Sequence, residues 1–275
     1  MKLYDSHFHF SGDNTPAEYL NHVESDLNRA LKKIGEAEFP ELWLTCVGGD
    51  YLESVRAREF AGLAPRCRFA AGVHPHCAAD FLVGNDDFSV FRDDPKLAAV
   101  GELGLDYYYD LSDREAQRRV FGDFLDLALE WEKPAVVHLR DRDGAEDAYA
   151  DGFSLLEPFA RRGGRFVVHC YAGSREYMDR FLELGAYVGV TGMVTFRAAE
   201  NIRANLAAIP EDRLLIETDS PYLSPVPFRG GENTPGLLPL VAVETARVRG
   251  TTPERIAELS WRNALEFFRI DGGVS

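Results

Sequence analysis

Cysteine is scarce in this 275-residue chain: Cys46, Cys67, Cys77 and Cys170 are the full set, and none stands in a Cys-x-x-Cys spacing. Four are too few for a disulfide framework at this length, so a reducing compartment, the cytoplasm, is expected. Long apolar runs are missing as well. No segment approaches the roughly 18 residues that a membrane span needs, and Met1-Lys2-Leu3-Tyr4-Asp5 passes directly into a strand-like segment without the apolar core of a signal peptide. Neither membrane insertion nor export is expected. Positive charge is the third deficit. Against 45 Asp and Glu the chain has 30 Lys and Arg, a formal net charge of −15. That balance disfavours non-specific attraction to long nucleic acid or anionic membrane, so an anionic substrate would have to be captured locally. No internal repeat, low-complexity tract or Gly/Ser linker interrupts residues 1–275, which read as one domain with Gly272-Gly273 as a frayed end. Nothing in the chain announces an obligate protein partner.

What is present is a regular alternation. Eight short β-branched and apolar runs, LYDSHFH, ELWLTCV, CRFAAGV, LAAVGEL, PAVVHL, RFVVHC, AYVGVT and LLIETD, are separated by stretches long enough for crossover helices. Nearly continuous apolar character suits parallel strands covered on both faces, and eight of them predict an α/β fold, a closed (β/α)8 TIM barrel. The intervening segments have helical periodicity. Ser112-x-x-Glu115 has the form of a capping box, followed by Ala116, Val120, Phe124 and Ala128 on one face. Thr252-Pro253 opens a closing helix whose buried stripe is Ile256, Leu259, Ala264 and Phe267. The stretch from His76 to Pro95 reads as a loop with a short helix.

Six of seven histidines, His7, His9, His74, His76, His138 and His169, fall at or just past the C-terminal end of a predicted strand. That end of a (β/α)8 barrel gathers residues distant in sequence into one site. His7 and His9 are two apart and leave the same face of a strand, so both reach a single ion. His138 after PAVV and His169 after RFVV put imidazoles at matching heights on strands five and six. His22 lies on a predicted helix and is set aside. Glu102 ends strand four and Asp219 ends strand eight. A carboxylate at the end of an apolar strand is costly to desolvate without a compensating cation or donor, a condition that a metal site satisfies.

These residues are set in the motifs DSHFH, GVHPH, GELGLDY, VVHLR, VVHC, ETDSPYL and RGGENTP, in an order and at spacings that resemble the TatD family of metal-dependent hydrolases, within the wider amidohydrolase-type barrels. The resemblance spans nearly the whole chain. It implies two divalent ions of the Zn, Mg, Mn or Ni type: His7 and His9 with Asp219 would hold one, His138 and His169 the other, and Glu102 would bridge them. His74 and His76 would be substrate-side histidines. The wider superfamily often bridges through a carboxylated lysine, but Lys133 stands at the wrong end of strand five. Two departures concern the surroundings of the ligands. Phe10-Ser11 replaces the usual Leu-Asp, and His169-Cys170-Tyr171-Ala172-Gly173 replaces His-Cys-Phe-Ser-Gly, which removes a carboxylate acceptor and a hydroxyl.

Two cations bridged by one carboxylate polarise a phosphoryl or carbonyl oxygen and lower the pKa of a shared water. Asp219 is placed to act as general base, Glu102 to serve the same centre, and His74 with Arg229 to bind phosphate oxygens. Arg140 and Arg142 are offset by Asp141 and Asp143. The expected activity is phosphodiester hydrolysis, of the DNase or 3′-5′ exonuclease type by resemblance, on short or single-stranded DNA ends or a small phosphodiester. Two alternatives stand beside it: a two-metal hydrolase of another ester, lactone or amide, and a catalytically silent metal-binding scaffold.

Overall fold

A computed structural model describes residues 2–10, 14–36, 40–84 and 86–270. Eight strands pair in parallel and in chain order: β1 (Lys2–Phe8), β2 (Glu41–Val47), β3 (Cys67–Ala71), β4 (Leu97–Asp106), β5 (Ala135–Arg140), β6 (Phe166–Val168), β7 (Tyr187–Val190) and β8 (Leu214–Ile216). All-parallel pairing needs crossovers, supplied by helices α1 (Pro16–Ile34), α2 (Tyr51–Leu63), α3 (Ala78–Val83), α4 (Arg114–Glu130), α5 (Asp147–Arg161), α6 (Arg175–Glu183) and α7 (Glu200–Leu206), while α8 (Leu238–Arg249) and α9 (Pro253–Phe268) follow β8. The expected (β/α)8 barrel is therefore present, and the seam between β8 and β1 is closed largely by polar groups. Thr218 donates to Asp5 through its backbone N (2.9 Å) and its hydroxyl (2.6 Å), and Ser6 Oγ donates to the Ile216 carbonyl at 3.3 Å. Above them the Asp219 N–H donates to His7 O at 2.9 Å and the His9 N–H to Ser220 O at 2.8 Å.

Inside the barrel, Tyr4, Ala70, Ala99, Val136, Val167, Tyr187 and Leu215 form an apolar floor, plugged from below by Phe267 and Phe268 of α9. The closing helix is as expected: Thr252 caps it and all four stripe residues are buried. The larger core lies between the strands and the helices, and includes Leu3, Phe8, Val100, Leu103, Val137 and Val168. Two irregularities decide what reaches the interior above the floor. Between Asp5 and Phe8, β1 spends three steps against two of β2, and between Val100 and Leu103, β4 does the same against β5. Each is a bulge with one extra residue. In strict alternation Tyr4 inward would turn His7 outward, and Ala99 inward would turn Glu102 outward. The extra residue reverses the parity, so His7 and Glu102 join the interior.

Two local expectations need correction or detail. The cap of α4 is Asp113, whose carboxylate accepts the Ala116 N–H at 3.0 Å; Ser112 instead donates to His76 O (2.8 Å) and accepts from Ala79 N (3.1 Å). A serine one position earlier thus ties the loop after β4 to the loop after β3. The 76–95 stretch holds α3 and a tight turn at Phe88–Phe91, and Phe81 and Phe88 pack on Phe124 of α4 with ring centroids 5.3 and 5.0 Å apart.

Candidate metal centre

His7 ends β1 inside the barrel, fully buried, with His9 just beyond it, and their Nε2 atoms lie 3.1 Å apart. Glu102 rises from β4 between two groups of imidazoles. Its Oε2 is 3.5 Å from His7 Nε2 and 3.4 Å from His9 Nε2. Its Oε1 is 2.7 Å from His169 Nε2, 3.0 Å from His138 Nδ1 and 3.7 Å from His74 Nε2. Asp219 follows β8 and sets Oδ1 3.7 Å from His7 Nε2 and 3.6 Å from His9 Nε2. The two sides are close neighbours, since the His7 and His169 rings stack with centroids 3.9 Å apart. All six expected ligand residues are brought together. Asp219 and Cys170 hold left-handed φ angles of 53° and 48°, a conformation found at few non-glycine residues, and both lie where the chain turns off its strand at the site.

Hydrogen bonding fixes which nitrogen His9, His138 and His74 turn to the centre. A carbonyl only accepts, so the 2.8 Å contact of His9 Nδ1 with Val47 O puts the proton on Nδ1 and leaves the Nε2 lone pair facing the centre. His138 is reversed: its Nε2–H donates to Asp106 Oδ2 at 3.2 Å, which turns Nδ1 to Glu102 and His169. Beneath His169, Glu217 stands 3.6 Å from Nδ1 and accepts Cys170 N (2.6 Å) and Ser6 Oγ (2.9 Å). Gly189 leaves room for that carboxylate, because a Cβ there would collide with Glu217 Oε1. His74 differs from the other four. Its Nδ1 accepts the His76 N–H at 3.2 Å, so the neutral ring carries its proton on Nε2, directed at the centre as a donor.

The electrostatics follow from burial and from mutual attraction. Burial acts to raise the Glu102 carboxyl, yet His169, His74 and His7 hold it well below the usual carboxylate range. His169 goes the other way: burial lowers it, but Glu102 and Glu217 carry it well above an ordinary imidazole. Asp219 and Glu102 likewise overcome burial at His9 and lift it to about 9. Burial keeps His74 neutral, well below its ordinary value. The carboxylates thus demand positive charge among rings whose lone pairs already converge. Donor atoms about 2.1 Å from a tetrahedral ion lie about 3.4 Å apart, close to the separations among His7, His9, Glu102 and Asp219. The residues fit divalent cations. Three overlapping groups bring their ligand atoms within 4.8 Å of one another: His7, His9 and Glu102; His7, His169 and Asp219; and His74, Glu102 and His138.

The remaining expected residues are spread. His76 is adjacent, with its Nε2 2.9 Å from Asp106 Oδ2 and its ring 4.3 Å from that of His74. Arg229 is exposed on the rim, its guanidinium 4.3 Å over the Phe196 ring. The rest of its motif braces the chain behind Asp219: Asn233 Nδ2 donates to Thr218 O and Tyr222 O at 2.9 and 2.6 Å, and Thr234 Oγ1 donates to Asp26 at 3.0 Å. Lys133 is at the far end of the barrel, 2.6 Å from Leu97 O. His22 is exposed on α1. Ala172 is exposed in the loop after His169, and Ser11 lies outside the described residues. Sequence reasoning missed Asp5, Asp106 and Glu217. The first two sit two residues before His7 and four after Glu102, and Glu217 stands two before Asp219, so closeness in sequence to the expected ligands was the available signal.

A (β/α)8 barrel with this cluster over its C-terminal mouth defines a metal-dependent hydrolase. The model of the family described as TatD related DNase matches residues 4–269, and the chain belongs to that family. It is 36% identical over 281 residues to the uncharacterised metal-dependent hydrolase YcfH of Escherichia coli K12, covering 98% of this chain and 97% of that protein. It is 34% identical over 255 residues to a protein of Pantoea vagans named 3′-5′ ssDNA/RNA exonuclease TatD, covering 90% and 94%. The crystal structure of YjjV, a TatD homologue from E. coli K12, superposes with a TM-score of 0.78 at 26% identity over 98% of both chains. No helix among the described residues is long and apolar enough to cross a membrane.

Proposed function

We propose that residues 1–275 act as one phosphodiesterase unit that removes nucleotides from the 3′ end of single-stranded nucleic acid, with two divalent ions at the mouth of the barrel. The observation that carries this reading is the division of Glu102, whose Oε2 faces His7 and His9 while its Oε1 faces His138 and His169. On this reading His7, His9 and Asp219 would hold one ion, His138 and His169 the other, and Glu102 would be shared by both. The exonuclease named among the relatives supports the substrate class. The net charge of −15 favours a short or single-stranded end over a long duplex. Four free cysteines accord with work in the cytoplasm.

Bound divalent ions supply Lewis acidity toward a phosphoryl oxygen and lower the pKa of water. The chain's own groups do the rest. Asp219 Oδ2, which accepts no hydrogen bond among the described residues, takes the proton of the attacking water as general base. His74 donates its Nε2–H to a non-bridging phosphate oxygen, and the His76 N–H on its Nδ1 keeps that proton where the substrate needs it. His76 backs the same edge of the site through Asp106, and Arg229 is left out of the contact set.

The test is metal content per chain in the parent, a His7→Ala/His9→Ala variant and a His138→Ala/His169→Ala variant, each then assayed for label release from a 3′-labelled oligonucleotide. About two ions in the parent, fewer in each variant, and release by the parent alone are expected. A parent that binds no metal after reconstitution with Mn, Zn or Mg refutes the centre. Two ions without release on any nucleic acid refute the substrate.

A further inference from the structure

Beyond Asp106 the chain forms a turn whose aromatic residues the mechanism does not use. Tyr107 is buried and its hydroxyl donates to Asp151 at 2.7 Å, but Tyr108 and Tyr109 are 42% and 53% exposed, and neither hydroxyl has a hydrogen-bond partner among the described residues. Their rings stand edge to face with centroids 4.8 Å apart, and the Arg140 guanidinium lies 4.4 and 4.8 Å from the two centroids. From this open patch a run of rings leads inward. Tyr109 is 5.6 Å edge-on to His76, His76 is 4.3 Å from His74, and His74 is 4.6 Å from His138. One carboxylate holds both ends of the run. Asp106 Oδ1 accepts the N–H groups of Tyr108 (3.0 Å) and Tyr109 (2.9 Å), while Oδ2 accepts from His76 (2.9 Å) and His138 (3.2 Å).

We propose that Tyr108, Tyr109 and Arg140 form a stacking platform for an unpaired nucleobase of the substrate, held in register with the cleavage site by Asp106. This rests on the nuclease reading above and adds how the strand is gripped. A chain of net charge −15 gains little from phosphates alone. The arginines that flank this turn are already engaged: Arg114 is 3.5 Å from both Asp110 and Asp147, and Arg142 is 3.9 Å from Asp110. Arg140 has no carboxylate within ion-pair distance among the described residues. Two exposed rings beside a guanidinium that lies on them but has no carboxylate partner match the chemistry of a base and its phosphate, and every base offers a π face whatever the sequence. In a duplex those faces are covered by neighbouring pairs, so the platform selects single strands or frayed ends.

The experiment crosses the platform with the bases. The metal-loaded parent and its Tyr108→Ala, Tyr109→Ala and Tyr109→Phe variants are assayed on a 3′-labelled oligonucleotide and on a fully abasic strand of the same length. In the parent, removing the bases should raise KM about tenfold, the scale of one stacked base. In the alanine variants KM for the two strands should converge, and Tyr109→Phe, which keeps the π face, should restore the difference. A purely structural role for the tyrosines would lower activity on both strands alike and overturn the platform, as would equal KM for both strands in the parent. Both results leave the nuclease reading standing. A parent that cleaves neither strand removes the nuclease reading and the platform together.

Discussion

Asp106 accepts four hydrogen bonds from four different residues: the N–H groups of Tyr108 and Tyr109 on Oδ1, and the Nε2–H groups of His76 and His138 on Oδ2. Burial raises its carboxyl, but the His138 and His76 contacts hold it far below the usual range, as expected for an ionised acceptor surrounded by donors. Asp106→Asn keeps the shape and removes half of the acceptor capacity. With the amide nitrogen toward the histidines, a donor meets two donors. His138 then shifts its proton to Nδ1, the nitrogen that faces Glu102, and is lost as a ligand on the proposed reading. With the amide flipped, two backbone N–H groups lose their acceptor. Either orientation leaves a conflict. Partners of metal-bound histidines typically contribute ten- to a hundredfold to metal affinity, about 1.4–2.7 kcal/mol, and that is the expected loss. Competitive metal titration against a chromophoric chelator measures it without reference to turnover. An Asp106→Asn protein that binds both ions as tightly as the parent would show that the tautomer argument is wrong.

Three further substitutions probe separate parts of the molecule. Asp219→Asn, assayed at saturating metal, should lose kcat by about 10²–10⁴, the usual worth of a positioned base; an enzyme with its metals and full turnover dismisses Asp219 from that role. Gly104 has φ +145°, and a Cβ there would run into the His138 carbonyl oxygen, so Gly104→Ala should separate β4 from β5 and cost roughly 3 kcal/mol or more in denaturant unfolding. Lys133→Met deletes the bond to Leu97 O at the floor of the barrel; it should lower stability by about 1 kcal/mol and leave metal content at the parent's value. Metal loss in Lys133→Met would refute the separation of floor from site.

The barrel was legible because parallel strands buried on both faces are written as apolar runs, and eight such runs admit few other closures. The gathering of the six expected ligand residues was legible because strand ends carry them. The orientation of those residues was not, because the period-two rule applied from Tyr4 or from Ala99 turns His7 and Glu102 the wrong way. The bulges that correct this are features of register between strands, and a pattern within one strand does not contain them. The missed residues have the same origin. Asp5, Asp106 and Glu217 read as ordinary acidic positions beside a motif, and only pairing shows that Asp5 closes the seam to Thr218, that Asp106 serves two loops and β5, and that Glu217 stands beneath His169 in space left by Gly189. Ser112 misled for a related reason: two adjacent residues were both able to cap α4, and the loop carrying His76 took the serine and left the cap to Asp113. Local chemistry names the ligands, and register decides which way they point. A single-residue deletion of Gly101, at the β4 bulge, should therefore leave Glu102 inward, opposite Val136 with Leu103 still on Val137, and a folded barrel should keep its metal; a folded Gly101 deletion that binds none, by circular dichroism and metal content measured together, would show that register parity does not aim the carboxylate.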